Sequence, residues 1–296
     1  MRLRRTAVAV IAAAFALSAC GGDGDDAGTT TEDSPSFASG TTMARLADAG
    51  KITIGTKFDQ PGFGFKGLED APEGFDVEIA KIIAGKLGIE PDQIVWTETV
   101  SAVREEFIST GKVDMIVATY TINDKRKERV TFAGPYYTAG QQIMVKSDNS
   151  TITGPDSLKA NPTQKVCSVT GSTPAENIKQ YLGAPNQLVT LPKYEDCEAA
   201  LRNGTDGVAA MTTDNVILLG FVSESDGAYK LVGQQFTEEP YGIGIKKGDT
   251  AFCDFINTTL KEASDSGEYK KAWDSTAGKV AEGVQAPTLP PADACA

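Results

Sequence analysis

The 296-residue chain contains no histidine. No site that needs imidazole, whether a Ser-His-Asp triad, a Cys-His dyad or an HExxH zinc centre, can then be built from this chain alone. Cysteine is scarce: five residues, at positions 20, 167, 197, 253 and 295, none in a CxxC or other metal-like spacing, so neither a metal nor any other cofactor is expected. Basic residues are outnumbered, 28 against 40 acids, which argues against a nucleic-acid partner. Long apolar runs are also missing. The stretch from Ala7 to Ala19 falls far short of the roughly 20 residues needed to span a bilayer.

What surrounds that stretch gives it a meaning. Arg2, Arg4 and Arg5 precede it, and it ends in the small-residue segment Leu17-Ser18-Ala19 followed by Cys20. This is the pattern of an export signal, 1–19, rather than of a membrane helix. It resembles a bacterial lipoprotein signal, and the resemblance implies that Cys20 is lipidated, becomes the new N-terminus and tethers the protein to the outer face of the cell membrane; ordinary secretion is the alternative. Losing three arginines leaves 25 basic against 40 acidic side chains, a formal charge of −15, on 277 residues. That length suffices for two lobes with their own cores. In an oxidising compartment the four remaining cysteines read as disulfides, or failing that as buried thiols. Three pairings are open; Cys167 with Cys197 and Cys253 with Cys295 is preferred because each pair would then fall within one lobe. The first would close a loop of about 30 residues, worth about 3 kcal/mol in the chain-entropy picture.

Residues 20–42 are rich in Gly, Ser, Thr and Asp and read as a flexible tether. Beyond it, β-like runs alternate with helical patterns: KITIGT, GFDVEIAKIIAGKLG, QIVWTET, SAVREEFISTG, VDMIVAT. This is the rhythm of an α/β domain with a largely parallel sheet. From Phe75 to Leu87 the apolar residues recur at helical spacing and Gly88 supplies a stop. A second cycle runs from Lys165 through GSTPAENI and YEDCEAALRNG to MTTDNVILL, and one amphipathic helix is expected over AFCDFINTTLKEASDSGEYKKAWDS. The expected organisation is lobe 1 from 43–142 plus 243–296 and lobe 2 from 143–242, with crossings near Gln142 to Val145 and Pro240 to Gly244.

The runs GFDVEIAKIIAGKLG, GKVDMIVATYTINDKRKERVTFAGPYYTAGQ, GSTPAENI, YEDCEAALRNG and YGIGIKKGD stand in one order over residues 46–275. Together they resemble the amino-acid-binding proteins of bacterial ABC importers (solute-binding proteins of family 3). KFDQPGFG, VATYTI and FAGPYY most resemble the glutamate-binding lipoproteins of actinobacteria within that family. The resemblance implies a type II periplasmic-binding-protein fold, a monomer whose two lobes close on one free amino acid. It also implies delivery to a membrane permease driven by a cytoplasmic ATPase, with no bond made or broken.

A free amino acid requires a cation and donors for its carboxylate, and an acid with acceptors for its ammonium. At the family's positions, Arg126 is expected to grip the α-carboxylate and Asp214 the ammonium. Thr119 and Thr121, two apart on an extended segment, would face one side. The turn Gly171-Ser172-Thr173, ahead of Pro174 at a helix start, offers amides to an anion. Lys57 and Arg104 match positions where acidic-amino-acid binders carry cations, and Tyr194 one where a polar ring reaches the ligand. Three cations around one ligand favour glutamate, or aspartate, over glutamine, because an unpaired buried charge costs about 3 to 5 kcal/mol. Plainer readings exist: Arg126 as part of the charged run DKRKER, the threonines as β-formers, Asp214 as an N-cap, the Gly171 turn as an ordinary loop. Lys57 and Arg104 could equally be exposed, and Tyr194 simple inter-lobe packing. Ser101 replaces an aromatic common in the family, so the usual sandwich of the ligand side chain would be missing or supplied by Phe58 or Phe63. Asp59 and Gln60 are further candidates for the cleft. The alternatives in function are a binder of glutamine or another polar amino acid, a sensory module, or a cell-envelope dehydratase on the same scaffold.

Overall fold

Two five-stranded sheets organise the described residues. In order along it come β1 (Ile52–Thr56), the hairpin β2 (Asp59–Gln60) and β3 (Gly64–Phe65), β4 (Ile94–Glu98), β5 (Met115–Ile116) and β6 (Val130–Ala139). They are followed by β7 (Gln141–Lys146), β8 (Lys165–Val169), β9 (Leu188–Leu191), β10 (Val208–Asp214), β11 (Tyr229–Val232) and β12 (Glu239–Lys246). The first sheet has the order β4-β1-β5-β12-β6 and the second β11-β7-β10-β8-β9. In each, the strands of the βα cycles run parallel, and a strand belonging to a crossing lies antiparallel: β12 against β5 and β6, β7 against β10 and β11. The computed structural model describes residues 35–281 and 283–296. The signal, Cys20 and the tether as far as 34 lie outside the described residues, and no helix among those described is long and apolar enough to cross a membrane.

The crossings come a few residues ahead of the expected positions. Lobe 1 passes to lobe 2 at Gly140, where β6 ends and β7 begins, and returns through 233–238 into β12. Gly140 suits the passage because a Cβ there would lie 2.4 Å from the Gln235 side chain of the returning segment. Packed structure also begins before residue 43, the expected start of lobe 1. Phe37 packs edge-on against Phe255, and Thr41 caps the helix Thr42–Ala49 by accepting from Ala44 N–H. The long C-terminal helix is two, Thr250–Ser266 and Glu268–Ser275, because Gly267 takes a left-handed φ of 87° between them. The helix Phe75–Lys86 and its stop at Gly88 (φ 76°) lie where the periodicity puts them.

Lobe 1 is built on aromatics: Phe63, Phe75, Tyr137, Tyr241 and Trp273 meet edge-on or stacked within one core. Lobe 2 has smaller aliphatic cores around Met144, Val169, Met211 and Leu218, with Cys167 and Cys197 in their midst. Two disulfides join Cys167 to Cys197 and Cys253 to Cys295. The second pins the C-terminal tail along β6, the sheet's edge strand, where Asp293 N–H donates to Gly134 O at 2.7 Å and Thr131 donates to Ala296 O at 2.8 Å. Covering an edge in this way blocks strand addition by another chain.

Candidate functional site

All nine residues singled out in the sequence for a ligand lie at the junction of the two sheets' C-terminal ends, and eight of them are buried. Lobe 1 contributes Lys57, immediately after β1, and Arg104, in the first turn of the helix Arg104–Ser109. It also contributes Thr119, Thr121 and Arg126 from the segment leading into β6. Lobe 2 contributes Ser172 and Thr173 after β8, Tyr194 at the start of the helix Tyr194–Asn203, and Asp214 at the end of β10. The C-terminal ends of parallel strands at a topological switch are where α/β sheets place ligands.

Three cations crowd one wall. Lys57 is 1% exposed; its ammonium donates to Ser101 Oγ at 3.0 Å and lies 5.7 Å from the centre of the Tyr194 ring. Ser101 thus stands where an aromatic would displace the ammonium. Arg104 stacks on Tyr120 with Cζ 4.1 Å from the ring centre, and Nη1 donates to Ala118 O at 2.9 Å. Arg126 lies on the same ring at 5.0 Å and donates to Thr121 O at 2.6 Å and, across the cleft, to Gly171 O at 3.2 Å. Its Nε is 3.5 Å from Glu105. Burial lowers Lys57 to about 8 despite the nearby Asp59 carboxylate, and lowers Arg126 to about 10 with Arg104's charge adding to the effect. Both shifts express the cost of holding like charges together away from water.

Facing them is Asp214. It occupies the N-cap position of the helix Asn215–Ser223 but makes no side-chain cap. Oδ2 instead accepts from Tyr241 Oη at 2.6 Å, and Oδ1 has no hydrogen-bond partner among the described residues. Arg104 Nε, Thr213 Oγ1 and Gln60 Nε2 are likewise buried without a partner. Burial, with Glu239's charge beside it, raises Asp214 to about 7.

Ser172 is a helix cap, accepting from Ala175 N–H at 3.1 Å, so its hydroxyl holds the turn in shape. Thr173, half-buried, bonds Glu239 at 2.7 Å and meets Thr121 of the other lobe at 3.3 Å. The extended geometry expected of Thr119 is not found: its φ is 43°, a left-handed conformation rare for a threonine. The cause is Asp76, fully buried in the first turn of the helix Phe75–Lys86, which accepts from Thr119 N–H at 2.8 Å and from Tyr136 Oη. Burial outweighs both bonds and raises Asp76 to about 6. The turn so fixed aims Ala118 O at Arg104. Phe63 belongs to the lobe 1 core and Phe58 pairs with Lys66, so neither is the ring facing Lys57; that ring is Tyr194. Asp76, Glu239, Tyr120 and Tyr241 are absent from the sequence-derived set. A buried acid inside an apolar helix face was the one available signal, and it applied to Asp76.

The lobes meet closely. Added to Gly171, a Cβ would lie 2.9 Å from Ala102 Cα, and on Gly220 it would lie 2.4 Å from Pro61 O. At the mouth, a cavity of about 470 Å³ is lined by Ser101, Glu105, Lys125, Arg126, Arg129 and Thr173, among others. A wall of cations and a facing acid, brought together by two lobes, can hold a small molecule bearing both charges.

Comparison with known proteins gives that class a family. Residues 52–276 match the model of bacterial extracellular solute-binding proteins, family 3, and the chain belongs to that family. It is 36% identical to the glutamate-binding protein GluB of Corynebacterium efficiens, over 96% of this chain and 93% of that one. It is also 36% identical to the glutamine-binding protein GlnH of an ABC transporter in Bacillus subtilis, over 88% and 92%. Among solved structures it resembles the ancestral amino acid-binding protein AncCDT-1, a precursor of cyclohexadienyl dehydratase, with a TM-score of 0.72 and 30% identity over 80% of this chain and 99% of that one. The chain is thus an extracellular amino-acid-binding protein of the ABC-importer type, and its family and relatives bind solutes rather than transform them.

Proposed function

We propose that the protein captures L-glutamate, with aspartate the next candidate, by closing its two lobes, and delivers it to an ABC permease while lipid-anchored at Cys20. The observation that carries the reading is the wall of Lys57, Arg104 and Arg126, three buried cations gathered on one side of the cleft with Asp214 facing them, and with Glu105, Asp59 and Glu239 close by. Arg126, with the amides of the Ser172 turn, takes the α-carboxylate and Asp214 the ammonium. Lys57 and Arg104 take the side-chain carboxylate, each gaining a counter-charge that glutamine lacks. The 36% identity to GluB supports the same choice.

Glutamine is the second reading, favoured by equal identity to GlnH and by a Lys57 that burial has brought down to about 8, so that its ammonium is given up more readily than an ordinary lysine's. Isothermal titration of the full chain, stripped of co-purified ligand, against glutamate, aspartate, glutamine, asparagine and arginine separates the two. Glutamate binding near micromolar, about −8 kcal/mol, with glutamine at least about a hundredfold weaker is the expected result. Arg104→Ala or Lys57→Ala should then weaken glutamate far more than glutamine. An unchanged ratio in both variants removes the side-chain assignment.

A further inference from the structure

The helix Tyr194–Asn203 begins on Lys193, a residue that cannot accept a hydrogen bond through its side chain and makes no cap. Its first amide is nevertheless satisfied. Tyr194 N–H donates to Asp59 Oδ2 at 2.6 Å, and Asp59 belongs to the other lobe. An anion at a helix N-terminus is favoured by both the free N–H groups and the helix dipole. Here the anion arrives from 135 residues away.

Asp59 is held rigidly on its own side. It lies in β2, paired in register with Phe65 of β3, and Phe63 between them is buried in the aromatic core. Lys66 N–H closes the hairpin onto Phe58 O at 3.0 Å. The neighbouring residue on the lobe 2 side adds a second clasp: Lys193 Nζ pairs with Glu98 of lobe 1 at 2.7 Å. Asp59 is 3% exposed and lies two residues from Lys57, whose ammonium faces the ring of the same Tyr194.

We infer that Asp59 is a positioning residue for ligand retention, a lobe 1 carboxylate that caps a lobe 2 helix in trans and so stabilises the closed arrangement over the open one. The inference rests on the capture reading above. Parting the lobes breaks this bond and leaves the helix uncapped, whereas first contact of the ligand with lobe 1 does not involve it. Asp59 therefore acts on the rate of escape. Apparent affinity scales with the closed fraction, and loss of a helix cap corresponds to about a tenfold change.

The test is stopped-flow kinetics on the full chain with Asp59→Ala and Asp59→Asn, using glutamate and glutamine. The expected result is a dissociation rate about tenfold faster for both ligands in Asp59→Ala, an association rate unchanged, and an intermediate value for Asp59→Asn, which keeps an acceptor without charge. Hydrogen exchange at the Tyr194 amide should quicken in the ligand-saturated Asp59→Ala protein. Unchanged dissociation overturns the inference. So does an effect confined to glutamate, which would make Asp59 a partner of Lys57 alone, or a lower melting temperature without faster dissociation, which would make it a support within lobe 1. Failure of the wild-type chain to bind any amino acid would instead strike the capture reading itself.

Discussion

The two walls of the cleft are built on opposite principles. Lobe 1 presents side-chain charge, Lys57, Arg104 and Arg126, and braces it with Tyr120, with Ser101 and with the Asp76-held turn at Thr119. Lobe 2 presents one carboxylate, Asp214, together with hydroxyls and backbone groups at two helix starts. Their interiors differ in the same sense: lobe 1 is anchored by interlocking aromatics, lobe 2 by a smaller aliphatic core with a disulfide inside it. The difference teaches where selectivity and retention reside. On the proposed reading, Lys57 and Arg104 of lobe 1 distinguish one amino acid from another, while Arg126, the helix starts of lobe 2 and Asp214 secure the features all amino acids share.

The largest effect should follow from neutralising the lobe 2 wall. Asp214→Asn should weaken every amino acid by at least about a hundredfold, because the ligand ammonium would be buried without its counter-charge; titration calorimetry reads this directly. The same change should stabilise the ligand-free protein. Asp214 is raised from the ordinary carboxylate value to about 7 by burial and by Glu239. The folded chain then binds more protons than the unfolded one between these values, and stability falls as pH rises through that range. Asparagine removes the penalty, so the melting temperature at pH 8 should rise, by roughly 5 °C. Loss of binding for glutamate alone would contradict the division of labour between the walls.

Acidity should separate the walls more gently. Affinity for every amino acid should rise with pH through about 7 as Asp214 ionises. Burial has brought Lys57 down to about 8, so its ammonium is lost above that value and glutamate affinity should fall again. Glutamate should therefore show a maximum between about 7 and 8, whereas glutamine, needing no side-chain cation, should rise and level off. Calorimetry at pH 5.5, 7.5 and 9 checks both curves. Superimposable curves would mean that Lys57 does not touch the ligand side chain.

Much of this was legible in the chain because it is local. The helix from Phe75 shows in its periodicity, Lys57 stands one step past β1 and Asp214 closes β10, while Arg104 and Arg126 stand out through the motifs that hold them. What escaped depends on distance. Thr119 takes its left-handed turn because Asp76 lies 43 residues away, and Asp59 matters because a helix start 135 residues on has no cap of its own. Glu239 gains its influence on Asp214 and Thr173 only after β12 returns to the first sheet. The break at Gly267 was invisible for another reason: the amphipathic pattern continues across it, and one glycine in a helical run does not announce whether it will adopt positive φ.

The smallest effect, and the finest test of the contrast, lies in the disulfides. Their loops span 30 and 42 residues, lengths that differ by only about 0.3 kcal/mol in closure entropy. Replacing either pair by alanines should therefore lower the melting temperature by a similar amount, about 10 °C if each contributes about 3 kcal/mol. Affinity should not respond equally. Cys197 lies in the helix that carries Tyr194 and receives the Asp59 carboxylate, and Cys167 in β8 leads into the Ser172 turn. Cys253 and Cys295 hold the tail on the far edge of lobe 1. Removing the lobe 2 bridge should weaken glutamate severalfold while removing the lobe 1 bridge leaves it unchanged, measured by calorimetry well below either melting point. Equal affinity in both variants would show that the lobe 2 wall keeps its shape through its core packing and its contacts across the cleft, and that the bridge inside it serves stability alone.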